Sequence, residues 1–306
     1  MENLLSQAMK RLRSKKVSKK LTNKWNSREV IYTPESLTRH PKQMFYKMWR
    51  DLLASRELAW RLLVRDIKAK YRQSILGILW AIIPAVVTAA SFTFARESGV
   101  VNIGATDLPY PAYVMFSMTL WQTFTEALNG PLQAVTSGKS MLARINFPRE
   151  ALILTKLGEV FFNFGIKLIL IILLFIWFKM PIGWSVIIAP VALIHLILLG
   201  TFIGLLIAPL GVLYQDFSKG ITLATGFWLF LTPVVYPMPK QGLFGTIVNL
   251  NPVTPLLVTT RELATTGIVS DPVGFWVVSA ISLGGLLFAW MTYCVSIPYI
   301  VERISS

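Results

Sequence analysis

Glu159, Asn163 and Lys167 stand four positions apart inside an otherwise apolar run. At that spacing three side chains share one face of a helix. A charge near the centre of a bilayer costs about 2.5–3.5 kcal/mol on the insertion scale. Such a face therefore serves either a polar path or helix interface, or ion pairs and snorkelling that hold a bundle together. Glu126 lies toward the end of the preceding apolar run, and His195 lies in the following one at a depth near that of Lys167. A second group is aromatic: Phe227, Trp228, Phe230 and Tyr236 cluster near an expected membrane boundary. Interface belts account for most clusters of this kind, while flat aromatic faces also suit sugar rings in a channel. Bond-making chemistry is poorly represented. Gly138-Lys139-Ser140 would belong to a phosphate-binding loop only with a glycine five positions before Gly138, where Gln133 stands. His40 and His195 lack metal-ligand spacing, no serine nucleophile elbow occurs, and the single cysteine, Cys294, has no internal partner. No catalytic residue, metal or cofactor is expected on this chain, and ATP hydrolysis would need another protein.

The elements that must position these groups are membrane helices. Hydrophobic residues make up 54% of the 306 positions, and a helix needs roughly 20 apolar residues to cross a bilayer. An all-α integral membrane protein is expected. Six crossings are placed at about 75–95, 111–132, 152–178, 185–213, 220–236 and 273–298. Residues 237–271 are rich in Pro, Gly and Asn, with apolar pieces too short to span, and are expected to form a re-entrant region. A short tail, 301–306, follows. The polar start makes a cleavable signal peptide unexpected.

Charge orients these spans. Of 30 Lys and Arg, 19 fall in residues 1–74, together with only 6 of the 15 Asp and Glu. Cations collect on the cytoplasmic side, so both termini are expected in the cytosol. Residues 1–48 form a basic extension without helical period, either a solvated tail or a contact for anionic lipid or a cytosolic partner; nucleic acid is not expected, because the segment leads directly into a membrane. Over 49–74, Trp49, Leu52, Leu53, Trp60, Leu63, Val64, Ile67 and Tyr71 recur at spacings of three, four and seven. Arg61, Arg65, Lys68 and Arg72 fall mainly elsewhere around the helix. This pattern predicts an amphipathic helix lying in the membrane interface, with a soluble helix packed on a partner as the alternative.

Several motifs then occur in order. Arg65-Asp66-Ile67-Lys68-Ala69-Lys70-Tyr71-Arg72-Gln73-Ser74 precedes Ile75-Leu76-Gly77-Ile78-Leu79-Trp80. Asn146-Phe147-Pro148-Arg149-Glu150 occupies the first cytoplasmic loop, and Tyr214-Gln215-Asp216-Phe217 the turn before the fifth span. Thr232-Pro233-Val234-Val235-Tyr236-Pro237 leads into the expected re-entrant region, and Asn251-Pro252-Val253-Thr254-Pro255 lies within it. In this order they resemble the ABC-2 permeases that export bacterial surface polysaccharides, over about residues 50–300. Gln215 replaces the usual arginine of that family's turn.

The resemblance implies a homodimer of six-span subunits in a bacterial cytoplasmic membrane, with a separate cytosolic ATPase dimer that binds ATP and Mg. It implies export of a lipid-linked glycan: O-antigen, capsule or teichoic acid. Arg144, Phe147, Pro148, Arg149, Glu150, Tyr214 and Asp216 become the expected ATPase-coupling residues. Arg61, Arg65, Lys68 and Arg72 would meet phosphates of substrate or membrane lipid. Glu159, Asn163, Lys167, Phe227, Trp228, Phe230 and Tyr236 are the candidate substrate path. Two other functions stand beside this one: an ABC-2 permease for a small lipid or drug, and a membrane-embedded transferase acting on lipid-linked sugars. The transferase would need clustered acids or histidines at a membrane surface, which the sequence lacks.

Overall fold

The computed structural model describes residues 41–72, 74–144, 147–180, 182–214, 216–239 and 241–305. Most of the basic extension, Asn146, Gln215 and Lys240 therefore lie outside the described residues, as does the side chain of Arg144. Among the described residues every regular element is a helix. In chain order they are α1 (Pro41–Arg72), a 3-10 turn (Gly77–Ala81), α2 (Ile83–Glu97), α3 (Tyr110–Ser137), α4 (Lys139–Arg144) and α5 (Glu150–Trp177). A second 3-10 turn (Trp184–Ile187) leads to α6 (Ala189–Leu213), α7 (Asp216–Phe230), α8 (Gly242–Leu250), α9 (Val253–Ala264) and α10 (Pro272–Ser305).

Three of these, α5, α6 and α10, are long and apolar enough to cross a membrane, and α8 with α9 passes the same test as a pair bent by 84°. That is three or four where the sequence leads one to expect six. Physical length is one reason. At 15 residues each, α2 and α7 rise roughly 22 Å, against a hydrocarbon core of roughly 30 Å. Composition is the other: α3 has 28 residues but carries Gln122, Glu126, Asn129 and Gln133 along it. The 84° bend falls inside the segment expected to be re-entrant.

Close backbone approach builds the centre. Helix α3 packs along α6, and three glycines of α6 make that possible. A methyl group on Gly200 would sit 2.7 Å from the Phe124 carbonyl oxygen. One on Gly204 would collide with the Leu128 carbonyl, and one on Gly211 with the Leu132 side chain. Small residues at such crossings let helices gain dispersion contact where lipid removes the hydrophobic driving force. Helix α10 packs against α6, and α5 lies between α3 and α1.

Helix α1 begins at Pro41, earlier than the amphipathic pattern suggests, and packs along the first half of α5. The Thr155 hydroxyl donates to the Ala59 carbonyl at 3.2 Å, Leu63 lies against Gly158, and the Tyr71 hydroxyl reaches Asn163. Its inward face is Met44, Met48, Asp51, Ser55, Ala59 and Leu62. Trp49, Leu53 and Trp60, counted with Leu63 on one apolar face from sequence, instead point outward. Small residues face α5 because the helices approach closely; the tryptophans keep an amphipathic outer surface that suits a membrane boundary. Beyond α1, Gly77 takes φ 48 and its N–H donates to the Ser74 hydroxyl at 2.9 Å. A left-handed turn there, which glycine adopts without a Cβ clash, redirects the chain into α2.

Candidate functional site

The polar face of α5 meets α3 and α1 in one hydrogen-bonded chain. Lys167, 1% exposed, donates through Nζ to Glu126 Oε1 at 2.6 Å. Asn163 donates through Nδ2 to Glu126 Oε2 at 3.0 Å, and its Oδ1 accepts from the Tyr71 hydroxyl at 3.3 Å. Burial, then the charges of Glu126 and Glu159, push the Tyr71 pKa up, which keeps that hydroxyl a donor. Each of the four side chains in this chain thus has at least one hydrogen-bond partner. Glu159 sits apart from this chain and pairs with Lys156 at 2.5 Å, while Lys156 also approaches Asp66 of α1 at 3.9 Å. His195 Nδ1 donates to the Val191 carbonyl at 2.7 Å, and the ring packs edge-on against Phe275 and Trp276.

Glu126 also opens onto a groove. A cavity of about 350 Å³ runs between the first 3-10 turn, α2, α3 and α7. Along α3 it exposes Met118, Gln122, Thr125, Glu126 and Asn129, which recur at spacings of three and four on one face. Thr222 and Thr225 of α7 face them, and Trp80 and Trp121 flank them. Gln122 Nε2 is buried there with no hydrogen-bond partner among the described residues. The signal for this groove in the sequence is the set Gln122, Thr125, Glu126 and Asn129 at helical spacing on α3.

The aromatic candidates separate. Phe227 and Phe230 are exposed on α7. Trp228 turns inward, edge-on to Phe124 at 5.5 Å, with Nε1 donating to Asn251 Oδ1 at 2.9 Å. Tyr236 is half-buried, and its hydroxyl donates to the Phe230 carbonyl at 2.9 Å.

Asn251, noted from sequence only as part of a motif, and Arg261, given no role there, hold the bent pair. The Asn251 amide donates to the Leu231 carbonyl at 2.9 Å and the Thr232 hydroxyl at 2.8 Å, and its Oδ1 also accepts from the Val253 N–H at 3.0 Å. The Arg261 guanidinium lies 4.2 Å from the Tyr113 ring centre and donates to Ser117 at 2.8 Å and to the Pro233 carbonyl at 3.2 Å. Tyr113 and Tyr110 in turn donate to the Tyr236 and Val235 carbonyls at 2.8 and 2.9 Å. Irregular backbone is tolerated at membrane depth only where protein satisfies it, and these side chains do so. Only tertiary contact reveals them, because Asn251 is held by groups 19 to 23 residues away and Arg261 by groups 28 and 144 residues away.

At the opposite end, α4 is a six-residue helix, and Phe147 packs partly against the apolar cluster that includes Leu152, Val212 and Tyr293. Pro148 and Arg149 are half-buried. Glu150 is buried and accepts from Cys294 Sγ at 3.3 Å, while the Tyr293 hydroxyl donates to the Arg149 carbonyl at 3.4 Å. Tyr214 and Asp216 are exposed, and the Tyr214 ring lies 6.2 Å from that of Phe217. On α1, Arg61 pairs with Glu57 at 2.6 Å and Arg65 with Asp66 at 2.8 Å; Lys68 and Arg72 are exposed.

A family model described as ABC-2 type transporter matches residues 57–263. An O-antigen export system permease protein RfbA of Myxococcus xanthus is 23% identical over 218 residues, covering 69% of this chain and 81% of that protein. A protein of the same description from Klebsiella pneumoniae is 22% identical over 214 residues, covering 67% and 79%.

Proposed function

Because the chain belongs to the ABC-2 type transporter family, we propose that it is the membrane subunit of an ATP-driven exporter carrying a lipid-linked surface polysaccharide out of a bacterial cytosol. Two copies would form the pore, a cytosolic ATPase dimer would bind ATP and Mg, and both termini would lie in the cytosol. The groove between α2, α3 and α7 carries this function. A sugar polymer cannot cross hydrocarbon, because each unpaired hydroxyl is costly to desolvate. The groove offers side-chain amides, threonine hydroxyls and a carboxylate beside two indoles. Gln122 Nε2 is buried without a partner among the described residues, and turning that amide into the groove would let it meet a sugar hydroxyl. Helix α7 leaves Leu223, Phe227 and Phe230 exposed next to the groove, and a second copy set against this surface would close two half-walls into one channel. The O-antigen permeases named above support a glycan as cargo over a small lipid or drug.

Single cysteines at Gln122, Thr125, Asn129 and Thr222, in a Cys294→Ser background with the partner ATPase, test the path. Water-soluble thiol reagents will modify them during active export and will leave cysteines at Ile169 and Leu173, exposed on α5, unmodified. Equal protection at all six positions would remove the groove from the path.

Coupling is assigned to α4 and the segment after it, together with Tyr214 and Asp216. Phe147 is the apolar anchor against the ATPase, and Pro148 sets the chain direction. Phe147→Ala is expected to lower export about tenfold or more, since hot-spot truncations cost roughly 2 kcal/mol or more, with membrane abundance unchanged. ATP-driven export at the wild-type rate in that variant would place the contact elsewhere. Arg61, Arg65, Lys68 and Arg72 are proposed to meet lipid or substrate phosphates along α1.

A further inference from the structure

A second cavity, of about 430 Å³, lies between α3, α5, α6 and α9. It opens on the other side of α3 from the polar groove: Phe116 and Leu120 line it, whereas Met118, Gln122, Thr125 and Asn129 line the groove. At 100° per residue those two sets fall on opposite faces of one helix. The cavity wall is hydrocarbon throughout except for Thr260, whose hydroxyl is already donated to the Leu256 carbonyl at 2.7 Å. Its volume is in the roughly 300–1,000 Å³ range of small-molecule sites, yet it offers no polar group to fix a polar ligand.

The mouth of the cavity shows what fills it. Leu168, Ile172 and Ile176 border it and are themselves exposed on α5. Helix α5 is one of the three helices long and apolar enough to cross a membrane. An opening on the outer flank of such a helix faces acyl chains, not water. A dry hollow left empty would forfeit dispersion contact along its whole lining, and a flexible chain entering from the bilayer restores that contact without desolvating anything. The exposed, groove-lining α7 lies on the opposite side of α3, so the surface proposed to meet a second copy does not cover this mouth.

We propose that this cavity is a binding site for one acyl chain of a membrane phospholipid, seated between α5 and the bent α8–α9 pair. The bound chain touches α9 through Thr260 and Ala264 and the two spans through Ile171 and Leu193. It therefore acts as a removable packing element between the bent pair and the bundle. The proposal rests on membrane placement and on a second copy meeting the α7 face, and is independent of the cargo.

The test uses the full chain in bilayer discs of phosphatidylethanolamine and phosphatidylglycerol, doped with a phospholipid bearing a diazirine near the end of one acyl chain. Phe116 and Leu120 are 3% and 1% exposed, so bulk lipid cannot reach them. After irradiation, peptide mapping is expected to find adducts on both. Ala264→Phe, which fills the cavity from α9, should reduce those adducts at least tenfold while leaving adducts on Ile172 unchanged. Adducts confined to Leu168, Ile172 and Ile176 in the wild type would overturn the site, whatever the variant does. So would adducts on Phe116 that persist in Ala264→Phe. Efficient disulfide formation between two copies through Ile172→Cys, in a Cys294→Ser background, would assign the mouth to a second protomer and also overturn it.

Discussion

Glu126→Gln will leave the Lys167 ammonium buried without a counter-charge and will sharply lower the amount of folded protein in the membrane. Lys167 is 1% exposed and donates to the Glu126 carboxylate at 2.6 Å. Removing one member of a buried pair costs about 3–5 kcal/mol, because the other charge stays buried alone. Glu126 is 31% exposed, so water reaches its side of the pair and the loss belongs at the lower end of that range. Glu126→Gln/Lys167→Met removes both charges and keeps an amide able to accept from Asn163. Abundance and thermal stability, followed by fluorescence-detected size exclusion, are expected to return to near the wild-type level in the double variant. Export is not expected to return with them, since the groove loses its carboxylate. Full recovery of both would make the pair a structural device alone, and failure to recover abundance would mean that Lys167 has a partner other than Glu126.

Gly204→Val will separate α3 from α6. The glycine has no room for a Cβ against the Leu128 carbonyl, whose carbon and oxygen are helical backbone and cannot yield. Overpacking in a close-packed interior ordinarily costs about 1–3 kcal/mol, and a backbone collision at the principal helix crossing belongs at or beyond the top of that range. The expected result is aggregation on extraction and loss of export. Gly165→Ala serves as the control, because nothing lies within 4 Å of a methyl group there. It should be neutral or slightly stabilising, as alanine is the better helix former. Wild-type behaviour of Gly204→Val would show that α3 and α6 do not pack in this register.

Much of the membrane character was readable as composition. Long apolar runs need a nonpolar solvent, and α5, α6 and α10 emerge from that requirement with few ambiguities. The four-residue spacing of Glu159, Asn163 and Lys167 likewise declared a polar helical face, because helical geometry is local. Where that face points was not local. Asn163 and Lys167 turn to Glu126, while Glu159 turns to Lys156, and only the packing of α3 and α1 on α5 separates them. Helix α1 makes the same point. Hydropathy weights the large tryptophans, which suggested that Trp49, Leu53 and Trp60 face the same way as Leu63. Close packing selects Ser55 and Ala59 instead, because small side chains let α1 reach Thr155 and Gly158.

The sequence by itself determined the solvent, the helical class and the set of polar residues that must be satisfied within it. Those follow from transfer free energies and from the periods of single elements. Tertiary structure decided which polar residues satisfy one another and which are left to face a cavity. Asn251 and Arg261 became the clasps of the bent α8–α9 pair only because Trp228, Ser117 and Tyr113 arrive from distant helices. The two sides of α3, one polar and one dry, acquired different roles only when α7 and α5 were set against them. Pairing and enclosure depend on distances between segments far apart in the chain, and no local pattern encodes those distances.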